Sequence, residues 1–267
     1  MLFQETEERA STVLSVQNLE KRFKGLRAVA DVSFDVNDRM ITALIGPNGA
    51  GKTTVFNLIT NLVRADAGQV LFAGEQLGGL SPTSIAQRGL IRTFQSARVI
   101  PGMTVLENIT VGRHRILKAS VLSQMISAPA ARAEQRDVLR RAEAILDLVG
   151  LSRFGNAHAV DLPMGAQKLL EVIRALMAQP RLLCLDEPAA GLNDSETLDL
   201  ANLLRAIRET GVPVLLVEHN MSLVMSVADH VIVIDAGAII ASGSPAEVQN
   251  NPRVLEAYLG QEAHVLH

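Results

Sequence analysis

Gly46-Pro47-Asn48-Gly49-Ala50-Gly51-Lys52-Thr53-Thr54 is the stretch on which the reading of this chain turns. It fits the pattern Gly, four residues, Gly-Lys-Thr, a loop that holds phosphate between a strand and a helix. The neighbours suit that context. Ile41 to Ile45 is a short apolar run that stops at Gly46, and Val55, Phe56, Leu58, Ile59 and Leu62 follow with helical periodicity. The chemistry needs these residue types. Glycines let the backbone curl so that successive N–H groups converge on phosphate oxygens. A helix beginning near Lys52 aims its positive end at the same charge. Lys52 is expected to reach the β- and γ-phosphates of ATP, and the Thr53 hydroxyl to ligate Mg²⁺. All of Gly46 to Thr54 is a candidate nucleotide contact.

Further along, Leu182-Leu183-Cys184-Leu185-Asp186-Glu187-Pro188 is an apolar strand ending in two carboxylates. In a parallel sheet Asp186 is expected beside the phosphate loop, at the edge where ligands bind. It is then the acid on the Mg²⁺ side, acting directly or through water. Glu187 points to the other side of the strand, where it accepts a proton from the attacking water or orients it. Such a pair alone is as often a solvated acidic turn before a proline; the upstream phosphate loop decides between the two. Cys184 reads as a buried small hydrophobe rather than a reactive thiol.

Around these two signals the chain alternates. Leu14 to Phe23 and Arg27 to Val36 predict an antiparallel hairpin across Lys24-Gly25, and Gln69 to Phe72 another short strand. A short helix is predicted over Thr83 to Gln87. From Met103 to Gly150 strand signals vanish and Val138, Leu139, Ala142, Ile145, Leu146 and Val149 recur at helical spacing, so a helical insertion is expected, broken near Ser127. Helix and strand then alternate again: a helix over Lys168 to Met177, a strand over Arg181 to Leu185, a helix over Glu196 to Arg208. Strands at Val214 to Val217 and Val231 to Ile234 follow, the latter paired with Ala238 to Ala241 across Asp235-Ala236-Gly237. Alternating units of this kind argue for a parallel sheet with helices on both faces.

Composition sets bounds. The 267 residues are 48% apolar but only 3% aromatic, with no Trp, so the core is aliphatic. A net charge of -3 gives no general reason to bind nucleic acid. A single cysteine excludes an internal disulfide and suits a reducing compartment. The polar, acidic start is unlike a secretory signal, and no apolar run approaches the roughly 18 residues that cross a bilayer. Any work at a membrane would need other chains to span it.

With these motifs in this order, the chain resembles the ABC ATPase family over nearly its whole length. The resemblance implies an α/β fold: a P-loop NTPase (RecA-like) core with an antiparallel β subdomain and a helical ABC-specific subdomain. It implies one ABC ATPase domain over 1–267, with the core and β subdomain in 12–95 and 160–245, the helical insertion in 96–159 and a helical tail in 246–267. Phe23 stands where the family places an aromatic that stacks on adenine. Gln95 sits at the family's Q-loop, which senses γ-phosphate and Mg²⁺ and contacts the membrane partner. His219 matches the family's switch histidine, and Ala190 to Asn193 its D-loop. The signature, Leu-Ser-Gly-Gly-Gln in the family, is here Leu162-Pro163-Met164-Gly165-Ala166, followed by Gln167. Leu162, Gly165 and Gln167 are the expected contacts to a nucleotide held by a second subunit. Pro163 brings no hydroxyl to that contact, so backbone N–H groups near Gly165 would have to serve.

Several segments are most similar to the ATPase of branched-chain or hydrophobic amino-acid importers: Gly89 to Gln95, Met103 to Asn108, Pro188 to Asn193 and Asn251 to Gly260. The resemblance implies ATP hydrolysis with Mg²⁺ and membrane-spanning permease partners. It also implies a second ATPase subunit, the same or a paralogue, and an extracytoplasmic substrate-binding protein at one remove. The expected location is cytoplasmic, peripheral on the inner face of the plasma membrane. Two such domains would close head to tail over ATP, with Glu187, His219, Gln95 and Lys52 in catalytic roles. Ile116, Leu117, Val121, Leu122, Met125 and Ile126 are expected either to line the membrane contact or to form a private helical core. The rivals are a soluble ABC ATPase, a P-loop kinase that needs an acceptor pocket and lid, and a weakly catalytic partner in a heterodimer, suggested by Pro163.

Overall fold

The computed structural model describes residues 11–93, 99–113 and 129–262. From the N-terminal side the chain forms β1 (Thr12–Phe23), β2 (Leu26–Asn37), β3 (Ile41–Ile45), α1 (Lys52–Ile59), β4 (Ala67–Phe72), β5 (Glu75–Gln76), α2 (Pro82–Gln87) and β6 (Leu90–Arg92). Next come α3 (Val105–Val111), α4 (Pro129–Leu148), α5 (Met164–Met177), β7 (Leu182–Asp186) and α6 (Asp194–Glu209). The chain continues through β8 (Val214–Val217), α7 (Met221–Val227), β9 (His230–Asp235), β10 (Ala238–Gly243), α8 (Pro245–Gln249) and α9 (Pro252–Glu262).

Two sheets result. The outer sheet runs β2-β1-β4-β5 and is antiparallel. Lys24 and Gly25, both at positive φ (46° and 91°), make the two-residue turn that suits the twist of a hairpin. The core sheet runs β10-β9-β3-β8-β7-β6, parallel except for β10, which returns against β9.

The core strands are apolar at nearly every position because both faces are covered. Alternate residues go to opposite sides, as a period of two requires. Leu182, Cys184, Leu215, Val217, Ile232 and Ile234 pack toward α1 and the outer sheet. Leu183, Leu185, Val214 and Leu216 face the other way, among α3, α5 and α6. Val231, Val233, Ala43 and Ile45 meet α7 and the tail.

The insertion carries two helices among the described residues, and side chains set the start of the first. Thr104 and Glu107 form a reciprocal capping box that opens α3. Buried Asn108 accepts from Ile100 N–H and donates to the carbonyls of Ile100 and Thr104, fastening the loop before the helix. Of the break expected from Ser127, the first two residues lie outside the described residues, while Pro129 to Ala131 belong to α4. The six apolar positions from Ile116 to Ile126 lie outside the described residues.

Sequence periodicity understates three elements. The helix expected from Lys168 starts four residues earlier, at Met164, so the signature segment runs into its first turn. β6 has three residues, too few for alternation to show. β4 begins at Ala67, ahead of its apolar part.

Candidate functional site

The phosphate loop leaves β3 at Gly46. A Cβ there would stand 2.0 Å from the Ile234 carbonyl oxygen of β9, so the close approach of two backbones requires glycine. No side chain caps α1, whose first turn is left free to accept an anion. Lys52 is buried, and its Nζ donates to the carbonyls of Gly46 (2.7 Å) and Pro47 (2.9 Å). Burial lowers its pKa from the ordinary lysine value, opposed by the negative field of Glu187 and Glu218.

A cleft of about 410 Å³ opens over this loop. Lys52, Thr53, Thr54 and Glu187 line it on the core side, and Leu26 and Ala28 on the side of the outer sheet. The turn between β9 and β10 pins the two sheets together at this point. Gly237 N–H donates to Ala50 O (2.9 Å), and Gly237 O accepts from Ala30 N–H of β2 (2.7 Å).

The two acids divide: Glu187 lines the cleft, and Asp186 faces inward and is not part of its lining. The sheet order corrects one detail of Asp186. β8 lies between β3 and β7, so one strand separates Asp186 from the strand that carries the phosphate loop. Asp186 is buried, and its Oδ2 accepts from Arg92 Nη2 at 2.7 Å. The same guanidinium donates to Asn57 Oδ1 (2.8 Å) and Thr60 Oγ1 (2.9 Å) and lies 4.7 Å from the Phe56 ring, so it joins Asp186 to the end of α1. Among the described residues, Asp186 Oδ1 is buried with no hydrogen-bond partner. A buried carboxylate oxygen left unpaired is costly, and a cation or its bound water relieves that cost. With the Thr53 hydroxyl in the cleft, the residues present fit a hard oxygen-liganded ion.

Glu187 occupies a left-handed backbone conformation, φ 47°, held by its N–H to the Val217 carbonyl at 2.8 Å. Strain of this kind persists where the surroundings over-determine it. Glu187 Oε2 stands 3.9 Å from His219 Nδ1, so the expected base and switch histidine are neighbours.

The other expected residues fall at several places. Gln95 lies outside the described residues; Thr93, two residues before it, donates its N–H to Cys184 O of β7 at 3.0 Å. Phe23 ends β1, 45% exposed, beside Lys21 Nζ at 5.5 Å. Its hairpin partner Leu26, 72% exposed, is the one of the two on the cleft wall. Leu162, Gly165 and Gln167 do not line this cleft. Gly165 and Gln167 lie in the first turn of α5 and Leu162 just before it, and Gln167 Nε2 donates to the carbonyls of Val160 (3.2 Å) and Leu162 (2.8 Å). A Cβ on Gly165 would meet the Glu196 side chain of α6 at 2.5 Å, so that side chain would have to move aside. Cys184 is fully buried, and burial pushes its thiol pKa up to about 12, the inert small hydrophobe expected.

Sequence reasoning missed Arg92, Leu26, Gly237, Lys168 and Glu218. Lys168 on α5 is buried, its pKa lowered chiefly by burial and raised by the fields of Glu218, Glu171 and Glu187. An apolar strand followed by an acid, Val214 to Glu218, is the signal that would have found Glu218.

Comparison with known proteins agrees with this geometry. The family described as ABC transporter matches residues 29–190, and the one described as branched-chain amino acid ATP-binding cassette transporter matches residues 238–264. The chain is 44% identical over 250 residues to the high-affinity branched-chain amino acid transport ATP-binding protein BraF of Pseudomonas aeruginosa, covering 93% of this chain and 98% of that one. It is 42% identical over 250 residues to LivG of Escherichia coli, with the same coverage. Among solved structures, the ADP conformation of an ATP-binding cassette of an ABC transporter superposes with a TM-score of 0.81 at 33% identity, covering 94% of this chain and 99% of that one. A nucleotide-free cassette from an ABC transporter gives 0.79 at 33% identity, covering 93% and 99%. The chain therefore belongs to the ABC transporter family, as an ATP-binding, ATP-hydrolysing cassette.

Proposed function

We propose that this cassette powers a membrane importer of branched-chain or other hydrophobic amino acids. The observation that supports it most is the convergence of Lys52, Thr53 and Glu187 on one cleft, in a chain over two-fifths identical to BraF and LivG across almost its whole length. No helix among the described residues is long and apolar enough to cross a membrane, so separate permease subunits would form the path. The proposed location is the inner face of the plasma membrane, with an extracytoplasmic binding protein delivering cargo to the permeases and no role for nucleic acid. Residues 12–95 and 160–245 serve as the core with its β subdomain, 96–159 as the helical arm toward the membrane, and 246–267 as the tail.

The backbone N–H groups of Gly46 to Thr54 hold the phosphates, and Lys52 exchanges its loop carbonyls for β- and γ-phosphate oxygens. Thr53, Asp186 and Gln95 are the residues that would hold Mg²⁺, which when bound would offset negative charge on the phosphates. Glu187 takes a proton from the water whose oxygen attacks the γ-phosphorus as ADP leaves, and His219 orients that water. Phe23 and Leu26 offer apolar surface to the base.

A second subunit completes the site by presenting Leu162 to Gln167 across the interface. Pro163 has no hydroxyl, Gln167 is turned onto Val160 and Leu162, and no side chain caps α5. The trans contact in this chain thus rests on the amides of the first turn of α5. The same facts favour a second reading, a cassette whose signature serves a paralogous partner weakly. Phosphate release by the isolated chain, set against the full complex, separates the two.

The direct test is Glu187→Gln with Mg²⁺ and ATP. The variant should bind nucleotide, lose turnover and accumulate as a closed pair of cassettes, visible by size-exclusion chromatography or in the assembled transporter. Unchanged turnover removes Glu187 from the role of base.

A further inference from the structure

We infer that Glu218 is a positioning residue that fastens the loop carrying Glu187 to the loop carrying His219 and so sets their separation for hydrolysis. The inference rests on the catalytic reading of Glu187 and His219 given above. Glu218 follows β8 and is completely buried. Its two oxygens face different loops. Oε1 accepts from Ala189 N–H at 2.7 Å, two residues past Glu187. Oε2 accepts from His219 N–H at 3.0 Å and Asn220 N–H at 3.1 Å. One carboxylate thus closes three backbone donors that no helix or strand ladder serves. The third of them belongs to the residue whose side chain caps α7 through Leu223 N–H.

The geometry suits a clamp rather than a reacting group. With no exposed surface and both oxygens engaged, Glu218 offers nothing to water or substrate. Its bonds nevertheless fix the backbone on both sides of the 3.9 Å gap between Glu187 Oε2 and His219 Nδ1. The bond from Glu187 N–H to Val217 O ties the same two strand ends one residue earlier, so β7 and β8 are stitched together where the chemistry takes place. Lys52 and Lys168 both lie within the field of Glu218, cationic neighbours that make an acid tolerable at this depth. A glutamine there would turn an NH₂ toward an amide donor, whichever way it flipped, and must release one loop.

The test uses the assembled transporter with wild-type, Glu218→Gln, Glu218→Asp and His219→Ala cassettes, and each Glu218 variant combined with His219→Ala. Glu218→Gln should lower kcat about tenfold or more while KM for ATP stays within about threefold, because positioning rather than ground-state binding is lost. Glu218→Asp, which keeps the charge but shortens the reach, should recover part of kcat. His219→Ala should cost less in either Glu218 background than in the wild type, because the imidazole it removes is the group that the clamp places; the loss in kcat at nearly constant KM and the partial recovery in Glu218→Asp are what a general structural defect would not give. Wild-type kcat in Glu218→Gln, or effects of the two positions that simply multiply, would overturn the clamp. If Glu218→Gln does not fold, as judged by circular dichroism, the coupling of Glu218→Asp with His219→Ala decides. Glu187→Gln in the same complex keeps the two ideas apart. If it is inactive while position 218 is uncoupled from His219, only the clamp fails; if it turns over normally, the catalytic reading fails and takes the clamp with it.

Discussion

Lys52 is held between two demands. Its ammonium rests on two loop carbonyls, buried enough to lower its pKa, with Glu187 and Glu218 supplying the opposing field. The sign follows directly. A lysine that holds its proton less tightly in the fold than in the unfolded chain detracts from stability while charged. That cost is relieved as pH rises from the lowered pKa toward the ordinary value of 10.5. Phosphate removes the cost by a different route, giving the cation partners that match its charge. Lys52→Ala should therefore weaken ATP binding by about 2–3 kcal/mol, the scale of charge-assisted hydrogen bonds to a buried partner, measured by titration with a fluorescent ATP analogue. Unaltered affinity would remove Lys52 from the site. Lys52 and Thr53 were legible because their neighbours in the loop are also their neighbours in the chain. Arg92 and Glu218 were not, since their meaning lies in partners 94 and 29 residues away. Such pairings leave no period or spacing in the sequence.

At the level of elements, caps and alternation carried most of the signal. Strands buried on both faces read as unbroken apolar runs, and β3 and β8 match their expected bounds residue for residue. Capping boxes open α3, α6 and α8, through Thr104 with Glu107, Asn193 with Glu196, and Ser244 with Glu247. In α8 the Ser244 amide and then its hydroxyl lower the Glu247 pKa below its ordinary 4.5. A carboxylate of this kind adds stability above its unfolded pKa, and the contribution is lost as pH falls through the lowered folded value. Glu247→Gln keeps the capping box but loses the charge, so it should lower Tm slightly at neutral pH, and the gap from wild type should close as the medium is acidified below that value. A gap that persists into strong acid would point to packing instead. The start of α5 was misjudged because Pro163 and Met164 interrupt the apolar spacing, although a helix beginning just after a proline is well formed. α7 carried too few periodic positions to be read.

For the whole molecule, the alternation of helix and strand disclosed the class of fold but not the order of strands. Nothing local shows that β8 inserts between β3 and β7, because order is settled by crossovers and by which faces must be covered. The same holds for the contact between the two sheets, where the Asp235-Ala236-Gly237 turn meets Ala50 and Ala30. Gly237 sits at φ 81°, and a Cβ there would stand 2.8 Å from Ala28 O. Gly237→Ala should cost about 1–3 kcal/mol of stability by backbone strain, and nucleotide affinity should fall with it. Thermal melts and ATP titrations on the same preparation check this; a lower Tm with unchanged affinity would mean the pin does not reach the site. If it does, the outer sheet is no independent flap. Warming would then release the base end and the phosphate end of the nucleotide in one event, and added ATP should raise the melting of both sheets together as a single sharpened transition.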